Sequence, residues 1–229
     1  MSPKKIRISK HMMREDKLVT TAFRFSEWIQ KNTQRILTVA GVVVAVGIII
    51  FVILSTRAGK GEKAYQLLGQ AIVAIRLGNL NQAIPDLETI TNNYGSTKAA
   101  PQACFLLGNI FFASGMFDQA ISTFEEFRKR YQDDPFLLVS SISGIAQCYL
   151  EKKEFGRAGD FFYQAFESDP QGVLAKYCLS SAGFSYARAK DYEKARSAYQ
   201  KVVELFPNAP EAVKAKKELA EINYGYAEK

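Results

Sequence analysis

Gly78-Asn79-Leu80-Asn81-Gln82-Ala83-Ile84 returns as Gly115-Met116-Phe117-Asp118-Gln119-Ala120-Ile121. Looser copies follow at Lys153-Glu154-Phe155-Gly156-Arg157-Ala158 and Lys190-Asp191-Tyr192-Glu193-Lys194-Ala195. The alanines Ala83, Ala120, Ala158 and Ala195 are spaced 37, 38 and 37 residues apart. Self-similarity at such a period is the signature of stacked supersecondary units, each of which buries its apolar face against its neighbours.

Working outward from these alanines, each unit shows two helical patterns. Upstream of the repeated phrase stands a bulky or small pair and then an aromatic: Leu107-Gly108 and Phe111, Ile145-Ala146 and Tyr149, Ala182-Gly183 and Tyr186. Downstream stand Phe124 with Phe127, Phe162 with Ala165 and Pro170, and Tyr199 with Val202 and Pro207. The first unit is weaker: Leu67, Ala71, Ala74, Ala83, Leu87, Ile90. This matches the tetratricopeptide pattern. Small residues at Gly108, Ala146 and Gly183 let paired helices approach, and the aromatics fill the space beside them. Gly78 and Gly115 suit the turn inside a pair, Asn81, Asp118 and Asp191 suit the start of the second helix, and Pro170 and Pro207 end units. Pro85 is compatible with a helix starting near Asn81. The fold class predicted is all-α: a single transmembrane helix, then a tetratricopeptide-like α-solenoid of about four helix pairs spanning residues 64–207, closed by a capping helix over 208–229. In that last helix Ala212, Ala215, Leu219, Ile222 and Tyr226 share a stripe, opposite mostly charged residues.

Before the repeats, Ile36 to Leu54 run 19 residues without a charge, between Arg35 and Arg57. At about 1.5 Å per residue this covers roughly the hydrocarbon thickness of a bilayer. It is too long, and lies too far from the N-terminus, for an ordinary signal peptide. Residues 36–55 are therefore predicted to span a membrane, with 56–63 as a linker. Gly41 and Ala45 form a small-x-x-x-small pair that would let another membrane helix approach.

Charge gives the orientation. The net charge is +7, but residues 1–35 hold nine basic residues against Glu15, Asp16 and Glu27, whereas 58–229 hold 20 of each sign. The basic arm, 1–35, is expected in the cytoplasm and the repeats across the membrane, which in a two-membrane bacterium is the periplasm. Within the arm, Leu18, Ala22, Phe25 and Ile29, with Trp28, suggest an amphipathic helix on an anionic leaflet or a membrane partner. The neutral repeats carry no nucleic-acid footprint. Cys104, Cys148 and Cys178 form no C-x-x-C, and His11 is the sole histidine, so neither a zinc site nor a histidine-dependent triad is expected. Ala58-Gly59-Lys60-Gly61 is not a phosphate loop. Cys148 and Cys178 are placed too far apart along their helices to pair. No catalysis, cofactor, metal or small-molecule substrate is predicted, and a protein partner is.

A basic arm, one span and repeats beyond it resemble the ancillary subunit of the SecYEG translocon (YfgM-like proteins). The roughly 37-residue units, with Asn93-Tyr94-Gly95-Ser96 and Leu205-Phe206-Pro207-Asn208-Ala209-Pro210, are also similar to the periplasmic cell-division coordinator CpoB and to outer-membrane assembly lipoproteins, although no lipobox cysteine is present. The resemblance implies an adaptor or chaperone-like factor at the translocon. A structural scaffold subunit of a stable membrane complex, in envelope assembly or cell division, stays open beside it. In tetratricopeptide domains that clamp a carboxylate, Lys, Asn and Arg line the first helices. Here only Asn109 matches, while Phe105, Gly144, Tyr177 and Ser181 hold other clamp positions.

Projecting first helices onto a concave face gives candidate partner-binding residues. Unit one supplies Tyr65, Leu68 and Ile72. Unit two supplies Phe105, Asn109 and Phe112. Unit three supplies Gln147, with Ser143 and Leu150. Unit four supplies Tyr177, Phe184 and Arg188. Their aromatic content suits an extended or helical peptide.

Overall fold

The computed structural model describes the backbone of residues 10–227 and the side chains of 19–35, 37–56 and 59–223. The basic residues before Lys10 and the side chains of His11, Leu18, Ile36, Arg57 and Tyr226, all read above from sequence, lie outside the described residues. Among the described residues every regular element is a helix: α1 (Lys10–Arg76), α2 (Leu80–Asn93), α3 (Ala100–Ala113), α4 (Phe117–Arg130), α5 (Pro135–Glu151), α6 (Phe155–Ser168), α7 (Ala175–Arg188), α8 (Tyr192–Leu205) and α9 (Pro210–Ala227). The chain divides into two units, 1–58 and 59–229.

In the first unit, large apolar side chains from Leu37 to Leu54 stand exposed along α1. This is the one helix among the described residues that is long and apolar enough to cross a membrane. Hydroxyls near its two ends are satisfied within the helix: Thr38 donates to the Arg35 carbonyl at 2.8 Å and Thr56 to that of Val52 at 2.9 Å. Residues 56–63, expected as a linker, lie within α1. Those residues are helical, and only the division between units falls there, after Ala58.

In the second unit the helices pair as the repeat requires: the end of α1 with α2, α3 with α4, α5 with α6, α7 with α8. All four marker alanines are fully buried. Phe124 of α4 shows why the small residues are needed. A Cβ added at Gly108 would lie 2.5 Å from its ring, and one added at Gly144 would lie 2.7 Å from it. The ring is held between α3 and α5 with no room for a methyl on either side. Tyr199 repeats the arrangement against Gly183 at 2.7 Å, and Tyr186 against Gly159 at 2.6 Å. Phe127, where a small residue is usual, is fully buried and meets Phe105 and Tyr131 edge-on.

The turn inside each pair needs one left-handed residue. Gly78 and Gly115 take φ of 73° and 74°, and Lys153 and Lys190 take 60° and 63° at the matching places. Asp191 caps α8 through the Lys194 amide at 3.2 Å. Asn81 and Asp118 do not cap. Their helices begin two residues earlier than the cap role requires, and Asp118 pairs with Lys152 of unit three at 2.6 Å instead. An unforeseen cap is Asp134, whose carboxylate accepts from the Leu137 amide at 3.0 Å ahead of Pro135. Pro85 lies within α2, where its missing N–H removes one helical bond. In α9, Ala212 and Ala215 are fully buried and Ile222 nearly so.

Candidate partner-binding groove

First helices α3, α5 and α7 stand side by side, and a depression of about 220 Å³ runs between them. Its floor is the buried Phe124 ring, which fills the space that Gly108 and Gly144 leave by carrying no side chains. Its walls are Phe105, Asn109 and Phe112 from α3, Ser140, Ser143 and Gln147 from α5, and Leu174 and Tyr177 at the start of α7.

The walls are held by contacts below them. Phe105 packs on Phe124, with centroids 6.1 Å apart, and Phe112 on Phe117 at 5.9 Å. Tyr177 meets Phe162 edge-on at 6.0 Å. The Ser143 hydroxyl donates to the Val139 carbonyl at 2.8 Å. Asn109 and Gln147, at equivalent places in successive repeats, have no hydrogen-bond partner among the described residues, so both carboxamides remain open to a ligand. No lining residue carries a charge. Burial also pushes the Tyr177 hydroxyl above the usual tyrosine range, so it stays neutral. The surface offers rings for apolar side chains and amides for a peptide backbone, and nothing for a carboxylate.

Five candidates are therefore brought together: Phe105, Asn109, Phe112, Gln147 and Tyr177. The other five are placed elsewhere. Leu68 is 3% exposed and belongs to the core of unit one. Ile72 is half-buried against the same core, and Tyr65 is exposed outside the groove. Phe184 lies beneath the Lys214 ammonium, 5.5 Å from its ring, and Arg188 sits 5.1 Å over Phe155. Of the two residues named with Gln147, Ser143 lines the groove and Leu150 packs on the core of the later units. Projection missed Ser140, Gly144 and Leu174. Gly144 was legible as a gap in the side-chain row, but its partner Phe124 comes from the previous unit.

Chemistry elsewhere is sparse. The three cysteines are free and buried, and burial raises their thiols to about 12, 11 and 12 at Cys104, Cys148 and Cys178. Such thiols are poor nucleophiles. No group of three or more His, Cys, Asp or Glu among the described residues is placed to hold a metal ion. In the first unit, nothing approaches the place of a Cβ on Gly41, and Ala45 is exposed.

Two tetratricopeptide repeat family models match, over residues 68–135 and 177–209. No curated protein matches the sequence. Among solved structures, a tetratricopeptide repeat protein from Parabacteroides merdae superposes with a TM-score of 0.60 at 17% identity, over 73% of this chain and 63% of that one. MamA from Desulfovibrio magneticus RS-1 does so with 0.55 at 18% identity, over 73% and 87%. A kinesin light chain repeat protein from Podospora gives 0.54 at 13%, over 74% and 89%. At these identities the likeness is one of fold, and the fold is that of a tetratricopeptide solenoid.

Proposed function

We propose that this tetratricopeptide-repeat chain is a membrane-anchored adaptor that holds an uncharged segment of another protein in the α3–α5–α7 groove. The supporting observation is the groove itself: aromatic walls, two unpartnered carboxamides and no charge. Tetratricopeptide repeats serve protein–protein interaction, and this lining selects among the ways they do so. A C-terminal carboxylate would be desolvated here without a cation to receive it, which costs several kcal/mol. An internal apolar stretch would lose nothing comparable. The anchor is the exposed apolar length of α1 from Leu37, with Gly41 and Ala45 as the place where another membrane helix would come closest. With the basic arm cytoplasmic, the groove faces the periplasm of a bacterial inner membrane. The resemblance to YfgM-like proteins suggests the translocon as the place of work, and polypeptides emerging from it as chaperone-like clients.

The test is photo-crosslinking in membranes with a crosslinker at Gln147, followed by mass spectrometry of the adducts. Adducts to many translocating chains, lost on Phe105→Ala, are expected. Adducts to one protein in fixed stoichiometry would make the chain a scaffold subunit of a stable complex. Absence of any adduct while the variant stays folded would refute the groove. Protease accessibility of the repeats in sealed spheroplasts checks the orientation independently.

A further inference from the structure

The arm ahead of the proposed span carries aromatic rings with nothing among the described residues over them. Phe25 is 63% and Trp28 56% exposed, and their rings stack with centroids 6.3 Å apart. At about 100° per residue, Trp28 lies about 60° to one side of Phe25, and Ile29 and Ala22 lie about 40–60° to the other. The four make one apolar stripe. Arg24, Lys31 and Arg35 fall together about 80–120° from Phe25, along the Trp28 edge of that stripe. All three are exposed and have no ion-pair partner among the described residues. Glu27, the one acid between positions 19 and 35, lies about 160° from Phe25, and so does Phe23 from the other side.

What adjoins the stripe identifies its occupant. The apolar length that begins at Leu37 follows in the same helix, so a bilayer surface is always within reach of the arm. Anionic headgroups there supply the charge that Arg24, Lys31 and Arg35 lack. An upright helix would not bring the rings to that surface. Nine residues put Trp28 about 14 Å, and twelve put Phe25 about 18 Å, beyond Leu37. Headgroups extend only about 5–7 Å past the hydrocarbon on each side. The helix must therefore turn, and one place is suited to it. Asn32 donates through Nδ2 to the Trp28 carbonyl at 2.9 Å. The Thr33 hydroxyl reaches the carbonyls of Ile29 at 2.7 Å and Gln30 at 3.0 Å. Side chains bonded to these carbonyls keep them satisfied when the backbone N–H groups of that turn let go. We infer that α1 turns at Asn32–Thr33 and lays Phe25, Trp28 and Ile29 on the adjoining leaflet, with Arg24 and Lys31 joining Arg35 on anionic phospholipid headgroups. This rests on the proposed span and uses no residue of the α3–α5–α7 groove.

Trp28 is the chain's one tryptophan, so its fluorescence reports this segment alone. The full-length protein is reconstituted in phosphatidylcholine vesicles with or without about a third phosphatidylglycerol. Brominated acyl chains in both leaflets make the direction of insertion immaterial. Quenching about threefold stronger in the anionic vesicles is expected, falling toward the neutral value at high salt. Arg24→Gln with Lys31→Gln should abolish the difference, and Phe23→Ala, on the opposite face, should leave it intact. Asn32→Ala with Thr33→Ala, which removes the side chains that serve the turn, should lower quenching in both kinds of vesicle. The inference is overturned if quenching ignores lipid charge, or if either double variant quenches as strongly as the parent. Emission shifted to the blue without quenching would mean that a protein covers the stripe, and would overturn it as well. Alkaline carbonate separates the span from the arm. Release of the protein would sink the span and this inference together, whereas retention with Trp28 unquenched would sink this inference alone.

Discussion

The repeat stack holds two cores, and they solve one geometry with different residues. The front core joins units one and two and reaches Ile145 and Cys148 of α5. The back core runs from Val139 of α5 to Ile222 of α9. In front, the turns inside the helix pairs are made by Gly78 and Gly115. Behind, Lys153 and Lys190 adopt the same left-handed backbone. In front, the ring wedged against the first helices is Phe124. Behind, the equivalent of unit four is Tyr199, fully buried with its hydroxyl unpartnered, whereas Tyr186 donates its own to Asp160 at 3.0 Å. In units two and four a ring thus packs against a missing side chain, at Gly108 and Gly183. Turn glycines and particular hydroxyls are interchangeable details, and their energetic cost should be measurable.

The largest effect should come from the ring itself. Phe124→Ala is expected to lower stability by about 3–5 kcal/mol, the usual range for a buried phenylalanine, and to remove the groove floor as well. Urea denaturation followed by circular dichroism would give the first number, and crosslinking from Gln147 the second. Next comes the space beside the ring. Gly108→Ala and Gly183→Ala should each cost about 1–3 kcal/mol by overpacking, because the new methyl meets Phe124 or Tyr199 at under 3 Å. Unit three already holds Ala146 at this place, so Ala146→Gly should cost no more than about 1 kcal/mol, from helix propensity. Equal losses at positions 108, 146 and 183 would break the link between ring and missing side chain.

Alkali should weaken the two cores unequally. The thiols of Cys104 and Cys148 in front and Cys178 behind are held above the ordinary value of 9.0 by burial. The unfolded chain therefore loses these protons first. Stability is unaffected below the ordinary thiol value and falls as pH rises from about 9 toward 11, by up to about 1.4 kcal/mol per pH unit for each thiol. Cys104→Ala with Cys148→Ala should flatten that slope more than Cys178→Ala, as melting temperatures between pH 8 and 10.5 would show. At neutral pH the comparison turns on one oxygen. Tyr199→Phe removes an unpartnered buried hydroxyl and restores what Phe124 and Phe162 provide, so the melting temperature should rise, by about 1 kcal/mol in stability.

Positions defined by burial were legible in the sequence, and positions defined by crossing angle were not. Ala83, Ala120, Ala158 and Ala195 face their own partner helix, so one helical phase predicts them. Groove residues depend on how three first helices splay, and three residues along one helix, a rotation of about 60°, separate Leu68 in the core from Tyr65 at the surface. That is why five of the projected residues meet in the groove and five lie elsewhere. Phe184 has a neighbour that the repeat pattern does not show: Lys214, over its ring, comes from beyond the last repeat. The helical stretch over 56–63 was hidden by Gly59 and Gly61, which weaken a helix in water without forbidding it.

The smallest effect is the most discriminating, because it concerns backbone alone. At Gly78 and Gly115 no atom lies within 4 Å of an added Cβ, so Gly→Ala there should cost only the left-handed conformation, about 1 kcal/mol. The reverse changes, Lys153→Gly and Lys190→Gly, recover that conformational strain but give glycine's extra freedom to the unfolded chain. They also remove a cation from the C-terminal end of a first helix, where the helix dipole favours it by about 0.3–1 kcal/mol at low salt. Neither lysine has an ion-pair partner among the described residues, so no further contact is lost. The expected net gain is about 0.5 kcal/mol, and it should grow with ionic strength as the dipole contribution is screened. A gain independent of salt would leave the backbone as the whole of the difference between the turns. A loss at every salt concentration would mean that the lysines are held there by something other than the turn.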